Sequence, residues 1–281
     1  MTLLTRIEAL VKEPPPGILY HYTSPVGARG IIEEKSLWAT NIHYLNDSKE
    51  FGHAREIAVR EIAGLRQSRS NAVPLWEHLE RWLTSVRLQN IHVFSLSTHG
   101  DQLSQWRAYC RGGGYALGFS PPELVERMKL HGFYFASCIY DTTRQTDLIS
   151  DCLSLSLNVY DGAIGAGQDP RDARIKAETQ FALNFSILGP LCKHPSFEEE
   201  GEWRLVAPGV DIRNPLLCYK AGSGMLIPYL NCPVDPLPLC AATVAPGPEP
   251  VLADRSLYGL LWRNNQPRFT IAVSQIPYRG L

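Results

Sequence analysis

Three short segments of this 281-residue chain put polar side chains where a core strand should carry none. Tyr20-His21-Tyr22-Thr23-Ser24 lies near the start, Phe94-Ser95-Leu96-Ser97-Thr98 in the middle and Glu200-Gly201-Glu202-Trp203-Arg204 late. Each reads as a strand or a strand edge. A polar side chain buried without a partner costs about 1–3 kcal/mol. Three such groups on separate strands point to one pocket built from all three. Imidazole, hydroxyl and carboxylate groups together suit a nucleotide-like ligand with a sugar whose glycosidic bond is to be broken.

Each residue also has a plainer explanation. A lone histidine is usually a core residue satisfied by a backbone group, but His21 and Thr23 are two apart, and strand periodicity puts both on one face. Ser95 and Ser97 alternate with Phe94 and Leu96, as outward hydroxyls of a half-exposed strand do. Glu198, Glu199 and Glu200 are explained by a solvated acidic run. Glu202 is explained less well, because it opens the apolar strand 203–206. Trp106 and Tyr109 pass as core anchors and Arg107 as a surface charge. Asn46-Asp47 supplies a helix N-cap, which accounts for one of the pair. Lys193-His194 lies near the loop before Glu200 and is assigned no role.

The elements that must position these groups follow from periodicity and punctuation. Leu3, Leu4, Ile7, Leu10 and Val11 mark one helix face, ended by Pro14-Pro15-Pro16-Gly17. Strands are expected at 18–22, 37–40, 91–98, 115–119 and 133–140. Helices are expected at 25–35, 46–65, 74–86 and 121–130, with helical turns at 101–109. Residues 143–160 and 170–191 form a helical pair, and Gly112-Gly113-Gly114 a hairpin turn. The last third is strand-rich, at 202–206, 216–220, 225–229, 241–244 and 270–273, with one helix at 254–262. The first strand needs distant partners, so the fold class is α+β, with a mixed sheet flanked by helices.

Composition sets outer limits. Lys plus Arg is 27 against Asp plus Glu of 28, so no basic excess advertises nucleic acid or membrane binding. Seven cysteines include no C-x-x-C pair, which argues against a disulfide framework or structural zinc and points to a reducing cytosol. No His-x-x-x-His or His-Glu-x-x-His suggests a metal, and no Gly-x-Ser-x-Gly elbow suggests a serine hydrolase. No stretch approaches the roughly 20 apolar residues of a membrane span.

The segment Leu19-Tyr-His-Tyr-Thr-Ser, followed by Gly30-Ile-Ile-Glu-Glu-Lys-Ser-Leu-Trp-Ala, resembles the opening of ADP-ribosyltransferases, especially the DNA-modifying bacterial toxins of that superfamily. Tyr44-Leu-Asn-Asp, Phe94-Ser-Leu-Ser, Gln105-Trp-Arg-Ala-Tyr, Tyr115-Ala-Leu-Gly-Phe, Phe197-Glu-Glu-Glu-Gly-Glu-Trp-Arg-Leu-Val and Ser274-Gln-Ile-Pro-Tyr-Arg also resemble, over nearly the full length, a bacterial family catalogued only as a domain of unknown function. The first resemblance implies a single domain over 1–281. Its core would be a mainly antiparallel split sheet, with an N-terminal helix at 1–16 and a helical insertion at 142–192. It implies NAD as substrate and no metal. His21 would bond a cofactor ribose, with Tyr22, Thr23 and Ser95 beside it. Trp106, Arg107 and either Tyr109 or Tyr115 would contact the rest of the cofactor, and Arg107 or Arg204 would pair with the pyrophosphate. Glu202 would grip a ribose hydroxyl and stabilise the positive charge growing on the sugar as nicotinamide leaves. Glu200, Phe197 and Asn46 would face an acceptor, a macromolecule or by default water. A toxin or phage-defence role in the cytoplasm, with an antitoxin or immunity partner, keeps company with this resemblance. The different-class rival is a non-catalytic nucleotide or nucleic-acid binding module, in which Glu202 pairs with Arg204 or another basic group.

Overall fold

Alternation of side chains decides where this chain extends. A computed structural model describes residues 7, 9–10, 13, 15, 17–45, 49–69, 72–85, 89–222, 224–266 and 269–277. The elements are, in order, β1 (Leu19–Thr23), α1 (Pro25–Glu34), β2 (Ser36–Asn41), α2 (Lys49–Ser68), α3 (Val73–Thr84), β3 (His92–Ser97), α4 (Leu103–Tyr109), β4 (Tyr115–Phe119), α5 (Pro121–Lys129), β5 (Tyr134–Ser137), α6 (Thr142–Gly165), α7 (Pro170–Leu188), β6 (Glu202–Ala207), β7 (Leu217–Ala221), β8 (Leu226–Pro233), β9 (Leu239–Val244), α8 (Pro250–Arg263) and β10 (Thr270–Val273). Local chemistry sets several of these boundaries. Ser24 accepts the Gly27 N–H at 3.2 Å, and Pro25 occupies the first turn of α1, where its missing N–H is harmless. Asp141 and Asp169 cap α6 and α7 in the same way.

Two expectations change. The three glycines after α4 form a helix-to-strand turn, not a hairpin, because residues 103–109 are helical and leave no strand to pair back. The strand expected at 133–140 ends at Ser137, and Ile139 instead bridges Cys192 in parallel. In the N-terminal stretch Ile7, Ala9 and Leu10 are helical, with Ile7 and Leu10 buried; Leu3, Leu4 and Val11, like the expected cap Asn46-Asp47-Ser48, lie outside the described residues.

The sheet is mainly antiparallel and it forks. β6 pairs β3 along its whole length, His92 with Ala207 through Ser97 with Glu202, and β5 covers the other edge of β6. The opposite edge of β3 is shared. β1 meets it only at Tyr20↔Ser97, whereas β2 meets it at Thr40↔Val93 and Asn41↔His92. One arm then continues β1-β4-β9, with β10 parallel to β9, and the other β2-β8-β7. Ser95 sits between the two contacts, where β1 and β2 part.

Apolar side chains cover both faces. On one face α2, α3, α6 and α7 pack with Val93 and Val206 in a cluster that holds Trp76, Phe181 and Phe185. On the other, α1, α5 and α8 pack over Phe94, Leu96, Trp203 and Leu205. Among the described residues no helix is long and apolar enough to cross a membrane.

Candidate functional site

The parting of β1 and β2 opens a cavity of about 450 Å³, whose walls include His21, Thr23, Trp38, Ser95, Tyr109 and Lys220. A smaller chamber adjoins it through His21, Tyr22, Ser95 and Tyr109, and reaches Ser97, Gln105, Glu200 and Glu202. Antiparallel partners share a sheet face, so Tyr20, Ser97 and Glu202 lie side by side on one face, with Ser95 and Arg204 next to them. His21 and Thr23 point to the opposite face, where the imidazole stacks on Phe94 at 4.2 Å. Residues of both faces reach one space only because the sheet has a gap there.

His21 fills part of that gap. Its Nδ1 lies 2.9 Å from the Ser95 carbonyl, at the stretch of β3 edge between its two strand neighbours. A carbonyl only accepts, so Nδ1 carries the proton and a neutral ring keeps Nε2 as an acceptor. Burial lowers the His21 pKa to about 4, against the Ser95 hydrogen bond and with help from the Lys220 charge, so the ring is neutral near pH 7. A neutral acceptor on a cavity wall suits a ligand hydroxyl.

Glu202 stands at the other end, buried among charges. Arg204 Nε donates to its Oε1 at 2.7 Å and Nη2 to its Oε2 at 3.0 Å. Lys193 Nζ donates to Oε2 at 2.5 Å and also bonds Glu200 Oε2. Burial alone would raise the Glu202 pKa; Arg204 and Lys193 outweigh it and hold the carboxyl below the usual carboxylate range. The backbone is fixed as well. The Glu202 N–H donates to the Tyr140 hydroxyl at 3.0 Å, and its carbonyl accepts from Cys138 at 2.8 Å. Ser97 Oγ donates to the Glu200 carbonyl at 2.7 Å and accepts from the His99 N–H at 3.0 Å. The middle serine strand thereby ties down the loop that delivers both glutamates.

The sequence-derived candidates separate in space. His21, Tyr22, Ser95 and Tyr109 line both chambers, Thr23 the larger, Glu200 and Glu202 the smaller. Tyr115 lines neither chamber: it is buried between β1 and β9, and its hydroxyl donates to the Ala253 carbonyl. Trp106 is also off the walls, 1% exposed, edge-on to Tyr22 and donating to Asp101 at 2.7 Å. Arg107 is exposed on α4. Phe197 lies under the Lys193 ammonium at 5.0 Å from its ring centre, outside the linings of both chambers. Asn46 lies outside the described residues. Arg204 does reach the larger chamber, but its guanidinium is engaged by Glu202 and, at 2.6 Å, by the Pro190 carbonyl.

Sequence reasoning missed three groups. Lys193 is buried against two glutamates, and nothing in the residues around position 193 signals it. Lys220 on β7 holds its ammonium over the rings of Trp38 and Tyr229, at 5.8 and 5.7 Å. Trp38 brings a buried Nε1 that has no partner among the described residues. An alternating Tyr219-Lys220 pattern on an edge strand was the only available signal, and it is a common one. All seven cysteines are free thiols, and among the described residues no group of three or more His, Cys, Asp or Glu could hold a metal ion.

A family model described as "Protein of unknown function (DUF2971)" matches residues 105–205, about a third of the chain. The matched segment runs from the helix that carries Tyr109 to the strand that carries Glu202 and Arg204. It leaves out residues 1–104, which hold β1, β2 and β3, and residues 206–281. Comparison with curated proteins gave no match, and neither did comparison with solved structures.

Proposed function

We propose that the fork of the sheet is a dinucleotide cleft and that the protein is an NAD-dependent ADP-ribosyltransferase. One observation carries this reading: His21 from β1, Ser95 from β3 and Glu202 from β6, far apart in sequence, line two chambers that meet at one gap. In this reading His21 Nε2 accepts a ribose hydroxyl. Tyr109 offers an aromatic face, and Lys220 supplies the cation for phosphate. Glu202 stabilises the cationic sugar while the C1′–N bond breaks and nicotinamide leaves with the bonding pair. A lone pair of the acceptor then forms the new bond at C1′, and Glu200 takes the acceptor's proton. The acceptor is a macromolecule or, by default, water. A toxin or phage-defence setting, with an antitoxin or immunity partner, rests on the resemblance alone.

A specific observation also favours the binding-module reading. Both Glu202 oxygens are already bonded, to Arg204 and Lys193, as an ordinary structural acid would be. NAD labelled in its adenylate phosphate, mixed with purified protein and cell lysate, separates the readings. Label carried into lysate material marks a transferase, and free nicotinamide without labelled acceptor marks a hydrolase. Bound but intact NAD marks a binding module. Absence of both binding and cleavage overturns the dinucleotide cleft.

A further inference from the structure

Lys193 is the least expected charge near the fork. Its side chain is 2% exposed, and its ammonium donates to Glu200 Oε2 and Glu202 Oε2 together. Burying an ammonium is unfavourable unless several groups receive it, so the fold must hold it firmly. The backbone does so. The Lys193 N–H donates to the Ile139 carbonyl at 3.0 Å, and the Lys193 carbonyl accepts from Gln145 Nε2 at 2.7 Å. Gln145, fully buried on α6, also donates to Ile139 at 2.5 Å and accepts from His53 at 2.9 Å. Both ends of the α6–α7 hairpin therefore meet the two-glutamate segment: residues 138–140 grip the Glu202 backbone, and residues 190–193 grip its side chain and Arg204.

Two carboxylates that share one ammonium lie within about 6 Å of each other, two hydrogen-bond lengths. At that separation like charges resist ionising together, and without a cation one of the two keeps its proton to higher pH. We propose that Lys193 is a positioning residue that keeps Glu200 and Glu202 side by side and ionised together, one facing the sugar and the other the incoming nucleophile. The proposal rests on the reading of these two as the working carboxylates. Other charged or titratable groups around the pair are Arg204 on β6, Tyr140 beyond β5, His99 on the turn beside Gly201, and Tyr20, Tyr22 and Tyr109 on the walls of the smaller chamber. His53 bonds Gln145 and meets the His194 ring edge-on at 5.5 Å, one residue beyond Lys193.

The test is a carboxyl titration by NMR of protein labelled at the glutamate carboxyl carbons, run beside the pH profile of NAD cleavage. In the wild type neither Glu200 nor Glu202 should retain a proton at pH 7. In Lys193→Met one midpoint should rise by about one to three pH units, and the acid limb of cleavage should move with it. Adding Glu200→Gln to that variant removes the repulsion and should return the Glu202 midpoint to its wild-type place. Midpoints that stay put in a folded Lys193→Met protein overturn the proposal, as does a carboxyl already protonated at pH 7 in the wild type. Should Lys193→Met not fold, the double variant decides. A folded double supports charge balance, while a double that also fails to fold makes Lys193 merely structural and overturns the proposal. Wild-type protein that does not cleave NAD sinks the transferase reading instead, and the titration still judges Lys193.

Discussion

Glu202 keeps its charge where almost no water reaches it, because Arg204 and Lys193 stand on either side of its carboxylate. A carboxyl whose pKa is lowered on folding adds stability above its unfolded value, and loses it as pH falls toward the folded one. Wild-type protein should therefore lose stability steeply below the ordinary carboxylate value of 4.5, and Glu202→Gln should flatten that limb. At pH 7 the same substitution should cost about 3–5 kcal/mol, since it leaves buried cations undercompensated. Urea unfolding at pH 7 and pH 3.5 reads both effects. His92 on β3 gives a second check with a different origin. It is fully buried, neither ring nitrogen has a partner among the described residues, and burial lowers its pKa to about 4. The unfolded ring takes up a proton below pH 6.5 that the folded ring refuses, so stability falls as pH drops from 6.5 toward 4. His92→Leu should stabilise the protein, and the gain should be about 2 kcal/mol larger at pH 5 than at pH 8.

At the scale of elements, the site depends on how the loop into β6 and the ends of the α6–α7 hairpin are fastened. Gly201 ends the 3-10 turn Pro195–Glu200 with φ of +50°, and an added Cβ would stand 2.2 Å from Thr98 Oγ1. Gly201→Ala should cost about 1–3 kcal/mol and should lower nicotinamide release beyond what its stability loss explains, because Glu200 and Glu202 flank the displaced residue. Gln145→Leu should cost about 2–4 kcal/mol by leaving the Lys193 carbonyl and His53 without their partner. Thermal melts rank these two against wild type. The strands themselves were readable in the residues. Periodicity and punctuation place β1, β3 and β6 to within about one residue at each end, and the expected α+β class, a mainly antiparallel sheet flanked by helices, is the one the chain forms. What could not be read was register. Tyr109 and Tyr115 looked equivalent in sequence, and only the pairing of β4 between β1 and β9 turns Tyr115 into the core. Register likewise put His21 and Glu202 on opposite faces, so their shared cavity depends on a gap that no local pattern encodes. Lys193 is silent for the same reason, and Lys220 shows only a common edge-strand alternation: burial beside a distant partner is a property of tertiary contact.

For the whole molecule, the fork joins two hydrophobic clusters that lie on opposite faces of one sheet. β3 and β6 contribute to both, Val93 and Val206 to one and Phe94, Leu96, Trp203 and Leu205 to the other. Neither cluster can be lost without exposing strands that support the other, so unfolding should be a single transition with equal calorimetric and van't Hoff enthalpies. A ligand bound at the fork stabilises only the joined state. NAD at one hundred times its dissociation constant should add about 2.7 kcal/mol of apparent stability. The most direct measurement is nicotinamide release from NAD by wild-type protein and by Glu202→Gln, each first shown to be folded, with and without lysate. The cleft reading expects release by the wild type, a loss of at least about a hundredfold in the variant, and NAD binding that survives the substitution. Equal release by both proteins would remove Glu202 from the chemistry, and wild-type protein that neither binds nor cleaves NAD would contradict the account altogether.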